Sequence, residues 1–353
     1  MRAERVDLGR LGAADHGRLV GAVLLAPFRC GDRVIAKGTR LDAALIAELT
    51  GPPGAGLLRL AWPDPGDLHE DEAARRLAIA VAGAGIEIAP ARQSRVDLLA
   101  ATDGVLRVAI APLGRINRID PLEVFTLFHG QAVTRGRTVA SVKVAPHLVA
   151  GARVVEGEAV ARAESPILTV DRYLPLEVAA IAAEALDAEA RQRFDDAART
   201  KVTALHGRFA GTFPSTPDGT GGLDETGLGA LLEELAVRRR LPLLLIGGVS
   251  AGDPLAPFYP ALAALGGSLL RRGIPAHPGS MIWLARLGES SLLGLPQCGM
   301  FTMATAADLV LPRLMTGEQV TADTLADMGH GGLLGPEMRF RFPDYARNLA
   351  APA

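Results

Sequence analysis

Leu243-Leu-Leu-Ile-Gly-Gly-Val-Ser-Ala-Gly-Asp253 decides how the second half of this chain is read. Four consecutive aliphatic residues without a polar position describe a strand covered on both faces. Gly247, Gly248 and Gly252 then describe a tight turn, because glycine takes positive φ at no steric cost and lets other atoms approach the backbone. At the carboxyl end of a parallel strand such a turn presents successive N–H groups, and a helix starting directly behind it adds its positive end. Ser250 and Asp253 can serve either a bound anion or the cap of that helix.

Working outward, the second half alternates strand and helix. Ile167-Leu-Thr-Val170 reads as a buried strand, and the Ala- and Glu-rich stretch Pro175 to His206 as a helix. Pro214-Ser-Thr-Pro-Asp-Gly-Thr-Gly-Gly222 is a loop by composition. Then come a helix from Asp224 to Arg239, the strand Leu241 to Ile246, and a helix to Leu265. Strands at Ser268–Arg271, Met281–Arg286 and Ser291–Leu295 precede a last helix from Met303 to Leu314. This order predicts an α/β fold, a three-layer α/β/α C-terminal domain on a mostly parallel sheet. Two further turns, His277-Pro-Gly-Ser280 and Gly294-Leu-Pro-Gln-Cys-Gly299, adjoin strands in the same way. Turns gathered at one sheet edge would make a cleft suited to a phosphate-bearing ligand.

The first half has short β-type runs, among them Val20–Leu25, Leu57–Ala61 and Val139–Val144, with helices at Leu41–Leu49 and Glu70–Ala84. Thr39 or Asp42 suits the cap of the first helix and Asp67 that of the second. The expected division is an N-terminal α+β domain of unclear duty at 1–163 and an α/β domain with its tail at 164–353.

Composition narrows the function. The 37 basic and 39 acidic residues leave a formal net charge of -2, which gives no electrostatic reason to expect nucleic acid or an anionic membrane as partner. Cys30 and Cys298 stand far apart without CxxC spacing, so neither a disulfide framework nor a zinc finger is indicated. No apolar run reaches the ~20 residues of a membrane helix, and the N-terminus lacks the apolar stretch of a signal peptide, so a cytoplasmic protein is expected.

Taken together, Gly247-Gly-Val-Ser-Ala-Gly252, Pro278-Gly-Ser-Met-Ile-Trp-Leu284 and Gly294-Leu-Pro-Gln-Cys-Gly299 resemble the molybdopterin-binding domain family of molybdenum cofactor biosynthesis. Ala307–Glu318, Met328-Gly-His-Gly-Gly-Leu-Leu334, Lys37–Leu41 and Gly66–Ala74 extend the resemblance over most of the chain. It implies a glycine cradle for the phosphate of molybdopterin or molybdenum cofactor, formed by Gly247, Gly248, Ser250, Gly252 and Asp253. Pro278, Gly279, Ser280, Gly294 and Pro296 would shape the opposite wall. Asp253 would be the catalytic and metal-holding acid, with magnesium as the ion. The activity implied is adenylyl or molybdate transfer onto the pterin. The alternatives are a non-catalytic carrier or insertion chaperone serving a molybdoenzyme or nucleotidyltransferase, and a degenerate domain kept for assembly. Family members are often homo-oligomers.

The sequence departs from the family in its acids. Asp253 is followed by Pro254-Leu-Ala-Pro-Phe-Tyr259 without a second carboxylate. The acidic motif that active members carry after their first strand corresponds here to Asp171, without its glycine. Magnesium-assisted transfer uses one or two carboxylates to hold the ion on phosphate.

Other residues admit two readings. Cys298, in a Gly/Pro turn beside a helix start, either contacts the ligand through sulfur or is a small buried side chain. His277 and His330 either line the cleft or stand exposed. His69-Glu-Asp-Glu72 faces several directions on a helix, which suits a solvated helix start better than a metal site. Arg115, Asn117 and Lys143 either reach a ligand or are surface and strand residues.

Overall fold

In a computed structural model, which describes residues 1–50, 56–92, 94–214 and 224–347, the chain forms two compact units. Of the described residues, one unit comprises those within 1–102, 107–129 and 135–170; the other takes 103–106, 130–134 and those from Asp171 onward.

The second unit is built on six strands: β1 (Glu177–Ala182), β2 (Arg208–Pro214), β3 (Leu243–Gly247), β4 (Ser268–Arg272), β5 (Trp283–Leu287) and β6 (Ser290–Leu295). Its helices include α1 (Ala188–Ala204), α2 (Glu225–Leu232), α3 (Phe258–Ala264), α4 (Gln297–Met300) and α5 (Ala307–Met315). The strand order is β2-β1-β3-β6-β5-β4. β2, β1, β3 and β6 run parallel, whereas β5 is antiparallel to β6 and to β4.

Period-2 alternation splits the strand residues between two cores. Val178, Ala180, Ala182, Leu243, Leu245, Leu293 and Leu295 pack with Phe194, Ala198 and Val202 of α1 and Val310 and Leu314 of α5. Ala179, Ile181, Leu244, Ile246, Leu292 and Trp283 pack with Leu228 and Leu232 of α2 and Phe258 and Leu262 of α3. A helical layer thus lies on each face, and no polar side chain interrupts β1 after Glu177 or β3 at all.

Three readings from sequence need correction. The stretch from Pro175 is not one helix: its first part is β1, and α1 begins only after Asp187, whose side chain accepts from the Ala190 amide at 2.7 Å. Alanine favours helix locally, but burial on both faces of the sheet overrides that preference. No helix follows the β3 turn directly, since α3 starts at Phe258, behind Pro254 and Pro257. The strand Leu168–Arg172 lies outside the six-stranded sheet, so Asp171 does not mark its edge. The segment 215–222 of the loop read after Pro214 lies outside the described residues.

The first unit combines antiparallel sheets with helices. Arg2–Asp7, Leu57–Trp62 and Val23–Leu24 form one sheet; Leu122–Thr126, Thr138–Val144, Arg95–Ala100 and Ile86–Ile88 form another. Asp42 caps the helix Ala43–Thr50 by accepting from the Leu45 amide at 2.8 Å. The next helix, Glu70–Val81, is capped by His69 rather than Asp67. Asp67 instead accepts from the Asp64 amide. Gly151–Ala163 is a helix with no marked apolar stripe, which is why periodicity does not find it. Among the described residues no helix is long and apolar enough to cross a membrane.

Candidate functional site

Parallel strands send their carboxyl ends to one edge, and register fixes which residues meet there. Ala182 pairs with Gly247, and Gly247 with Leu295. Trp283, at the start of antiparallel β5, pairs with Gly294. The ends of β1, β3 and β6 and the beginning of β5 therefore share an edge. The turns holding Gly247–Asp253 and Gly294–Gly299, with the segment Ser280–Ile282, come together there.

Hydrogen bonds stitch these turns. The Ala183 amide donates to the Gly247 carbonyl at 3.0 Å, Gly248 to Leu295 at 3.2 Å and Ala251 to Met281 at 3.3 Å. The Trp283 indole N–H donates to the Val249 carbonyl at 2.8 Å, and the Tyr259 hydroxyl to the Ser250 carbonyl at 3.1 Å. Burial pushes the Tyr259 phenol up, with Arg272 opposing and Asp253 adding to the shift, so the group stays a donor. Among the described residues, the Val249 and Ser250 amides make no hydrogen bond; Val249 is buried, and Ser250 is half-buried.

Each glycine has its own local reason. Gly248 has φ +86°, and a Cβ there would lie 2.5 Å from Cγ of Glu184. At Gly247 a Cβ would meet Met300 and Phe194 at 2.7 and 2.8 Å, and at Gly294 it would lie 2.0 Å from the Trp283 ring. Gly279, at φ +112°, leaves room for the Ala306 amide, which donates to the Pro278 carbonyl at 2.9 Å. Gly252 is exposed, and only the terminal methyl of Met281 stands close to it at 2.7 Å.

The polar residues are placed as follows. Ser250 Oγ accepts from the Gly252 amide at 3.2 Å, and Asp253 Oδ1 from the Leu255 amide at 3.0 Å. Both side chains thus brace their own turn; neither caps α3. Ser280 is exposed, and its carbonyl accepts from Ile274. Pro296 precedes α4, and its carbonyl accepts from Gly299 and Met300. Cys298 belongs to α4 by its backbone, and its side chain lies outside the described residues. His277 and His330 are exposed; the backbone at His277 bonds to Gly332 and Leu334, which lays the 329–334 segment beside the His277–Ser280 turn.

The carboxylate that sequence reading missed is Glu184, two residues beyond β1 and half-buried against Gly248. Gln297 Nε2 lies 3.5 Å from its Oε2. With Pro175–His206 read as helix, Glu184 was hidden in a helix interior; the Asp187 cap was the signal that could have exposed it. In the first unit, Arg115 pairs with Glu164 at 2.7 Å, Asn117 bonds the Val124 backbone, and Lys143 lies on a strand. His69 Nε2 donates to the Gly38 carbonyl at 2.8 Å, and His147 Nδ1 lies 2.7 Å from Oε2 of buried Glu70. No group of three or more His, Cys, Asp or Glu that could hold a metal occurs among the described residues.

Fold and edge together define an α/β unit whose glycine-rich turns gather at the carboxyl ends of its parallel strands. No family model and no curated protein matches the chain. Among solved structures, it is similar to the molybdopterin biosynthesis enzyme MoaB of Thermus thermophilus, with 16% identity over 40% of this chain and 98% of that one, TM-score 0.26. It is also similar to the molybdopterin biosynthesis MoeA protein of Pyrococcus horikoshii, with 13% identity over 90% of this chain and 75% of that one, TM-score 0.28. Likenesses this slight decide neither family nor function.

Proposed function

We propose that the second unit binds the phosphate of molybdopterin or molybdenum cofactor at the joined ends of β1, β3 and β6, and that the protein serves molybdenum cofactor biosynthesis or insertion. The observation that carries this reading is the convergence of the β3 and β6 turns at one edge, with the amide of half-buried Ser250 unpartnered among the described residues. Anions are well held by such amides without any basic side chain, which agrees with the net charge of -2. The motifs in these turns are the ones that resemble the molybdopterin-binding family.

Glu184 and Asp253 are the carboxylates of this edge that would hold a magnesium ion against a phosphate. Magnesium keeps most of its waters and needs only one or two protein carboxylates in such sites. Glu184 stands against the turn, whereas one oxygen of Asp253 is already engaged by Leu255.

The test is oxidative release of fluorescent pterin from purified protein, repeated with Gly252→Asp. The new carboxylate would enter the turn at an exposed position without positive φ, displacing only the Met281 methyl. Loss of retained pterin with an unchanged circular dichroism spectrum is expected. Equal retention by the variant would remove the turn from the site. Gly248→Asp is unsuitable, because backbone strain and the clash with Glu184 would alter the turn without any ligand.

A further inference from the structure

Phe194 and Met300 meet at Gly247, and their chain neighbours Arg193 and Phe301 line a groove of about 310 Å³. Asp196 and Thr200 continue its wall along α1, with Lys201 and Tyr345 also lining it. The size is near the lower end of small-molecule sites, roughly 300–1,000 Å³.

Its chemistry is specific in three respects. Phe301 offers an aromatic face, with the Arg193 guanidinium 5.4 Å from the ring centroid. Asp196 is exposed and has one partner among the described residues, Gln192, at 3.0 Å on Oδ1, which leaves Oδ2 open. Lys201 is buried and donates to buried Asp308 at 2.6 Å, while Asp308 also accepts from the Thr305 amide at 2.9 Å. The lysine charge is thus balanced from within the fold, so the groove is no general anion trap. An open carboxylate beside an aromatic face suits a planar ring with two adjacent N–H donors: the carboxylate accepts both, and the ring stacks.

We propose that this groove holds the ring of a 2-amino-4-oxo heterocycle, stacked on Phe301 and paired through its amino and ring N–H groups with Asp196. Pterins and guanine share that edge; adenine lacks it. The proposal deepens the function above and rests on it only for the choice of pterin over guanine.

Titration of the full chain with 6-hydroxymethylpterin, guanosine and adenosine tests it. None carries phosphate, so failure of the turn as a phosphate site would appear separately, in Gly252→Asp with the native pterin. The expected result is saturable pterin binding, weakened at least tenfold by Asp196→Asn and by Thr200→Trp, which fills the groove. Both groove substitutions are at exposed helix positions, and circular dichroism checks their fold. Preference for guanosine supports the groove and assigns its ring as guanine. Equal binding of adenosine, no binding of any probe, or an unaltered Asp196→Asn affinity overturns the proposal.

Discussion

The turns after β3 and β6 leave adjacent strands at the same edge, and both looked alike as strings of glycine and proline. They use the missing side chains differently. At Gly294 the vacant Cβ position is filled by the Trp283 ring, so the glycine serves packing. Beyond β3 the chain opens: Gly248 needs its positive φ, Gly252 is exposed, and two amides between them are unpartnered among the described residues. Glycine enrichment therefore serves packing in the β6 turn, and in the β3 turn it serves packing at Gly247, a positive φ at Gly248 and an exposed position at Gly252.

The strongest way to break that comparison is Gly294→Ala. A methyl 2.0 Å from the indole must displace Trp283 and its bond to Val249. A loss of roughly 3 kcal/mol in urea unfolding is expected, the upper part of the overpacking range. A loss below about 1 kcal/mol would show that the β6 turn is as tolerant as an open loop.

Gly248→Ala should cost less, about 2 kcal/mol, from positive φ and the contact with Glu184. Glu184→Ala in the same chain relieves only the contact, so part of the loss should return. Full recovery would mean that the backbone angle contributes nothing.

Tyr259→Phe removes the donor to Ser250 while keeping the ring, and about 1 kcal/mol should be lost. Hydrogen exchange at Val249–Gly252 should rise with it; unchanged exchange would show that the phenol does not steady the turn. The smallest effect belongs to Gly252→Ala, under about 0.5 kcal/mol, since the methyl meets only the end of a flexible methionine. A larger loss would place Gly252 among the packing glycines and erase the contrast.

Much of this was legible before any coordinates. β3 announces itself as an unbroken apolar run ending in glycine, and β6 as Leu292-Leu-Gly-Leu295 behind two serines; both turn motifs stand at the shared edge. β1 was not legible, because Val178-Ala-Ala-Ile-Ala182 has neither polar alternation nor a high share of β-branched residues. Its partners on both sides make it a strand, and Glu184 went unread with it. β2 was missed although Phe209 and Phe213 are good strand residues, because only Leu205, His206 and Gly207 separate it from α1. The groove beside α1 could not be seen at all: Asp196 and Phe301 are 105 residues apart, and only packing makes them neighbours.

The indole that fills the place of the Gly294 side chain also gives the protein an optical gauge. The chain has two tryptophans, and Trp62 belongs to the other unit. With Trp62→Phe, all remaining indole emission comes from Trp283, whose N–H is held by the carbonyl of Val249. A phosphate drawn onto the Ser250 amide, which shares its peptide with that carbonyl, would repolarise the peptide and shift the emission, so occupancy of the proposed site could be followed in real time without any label.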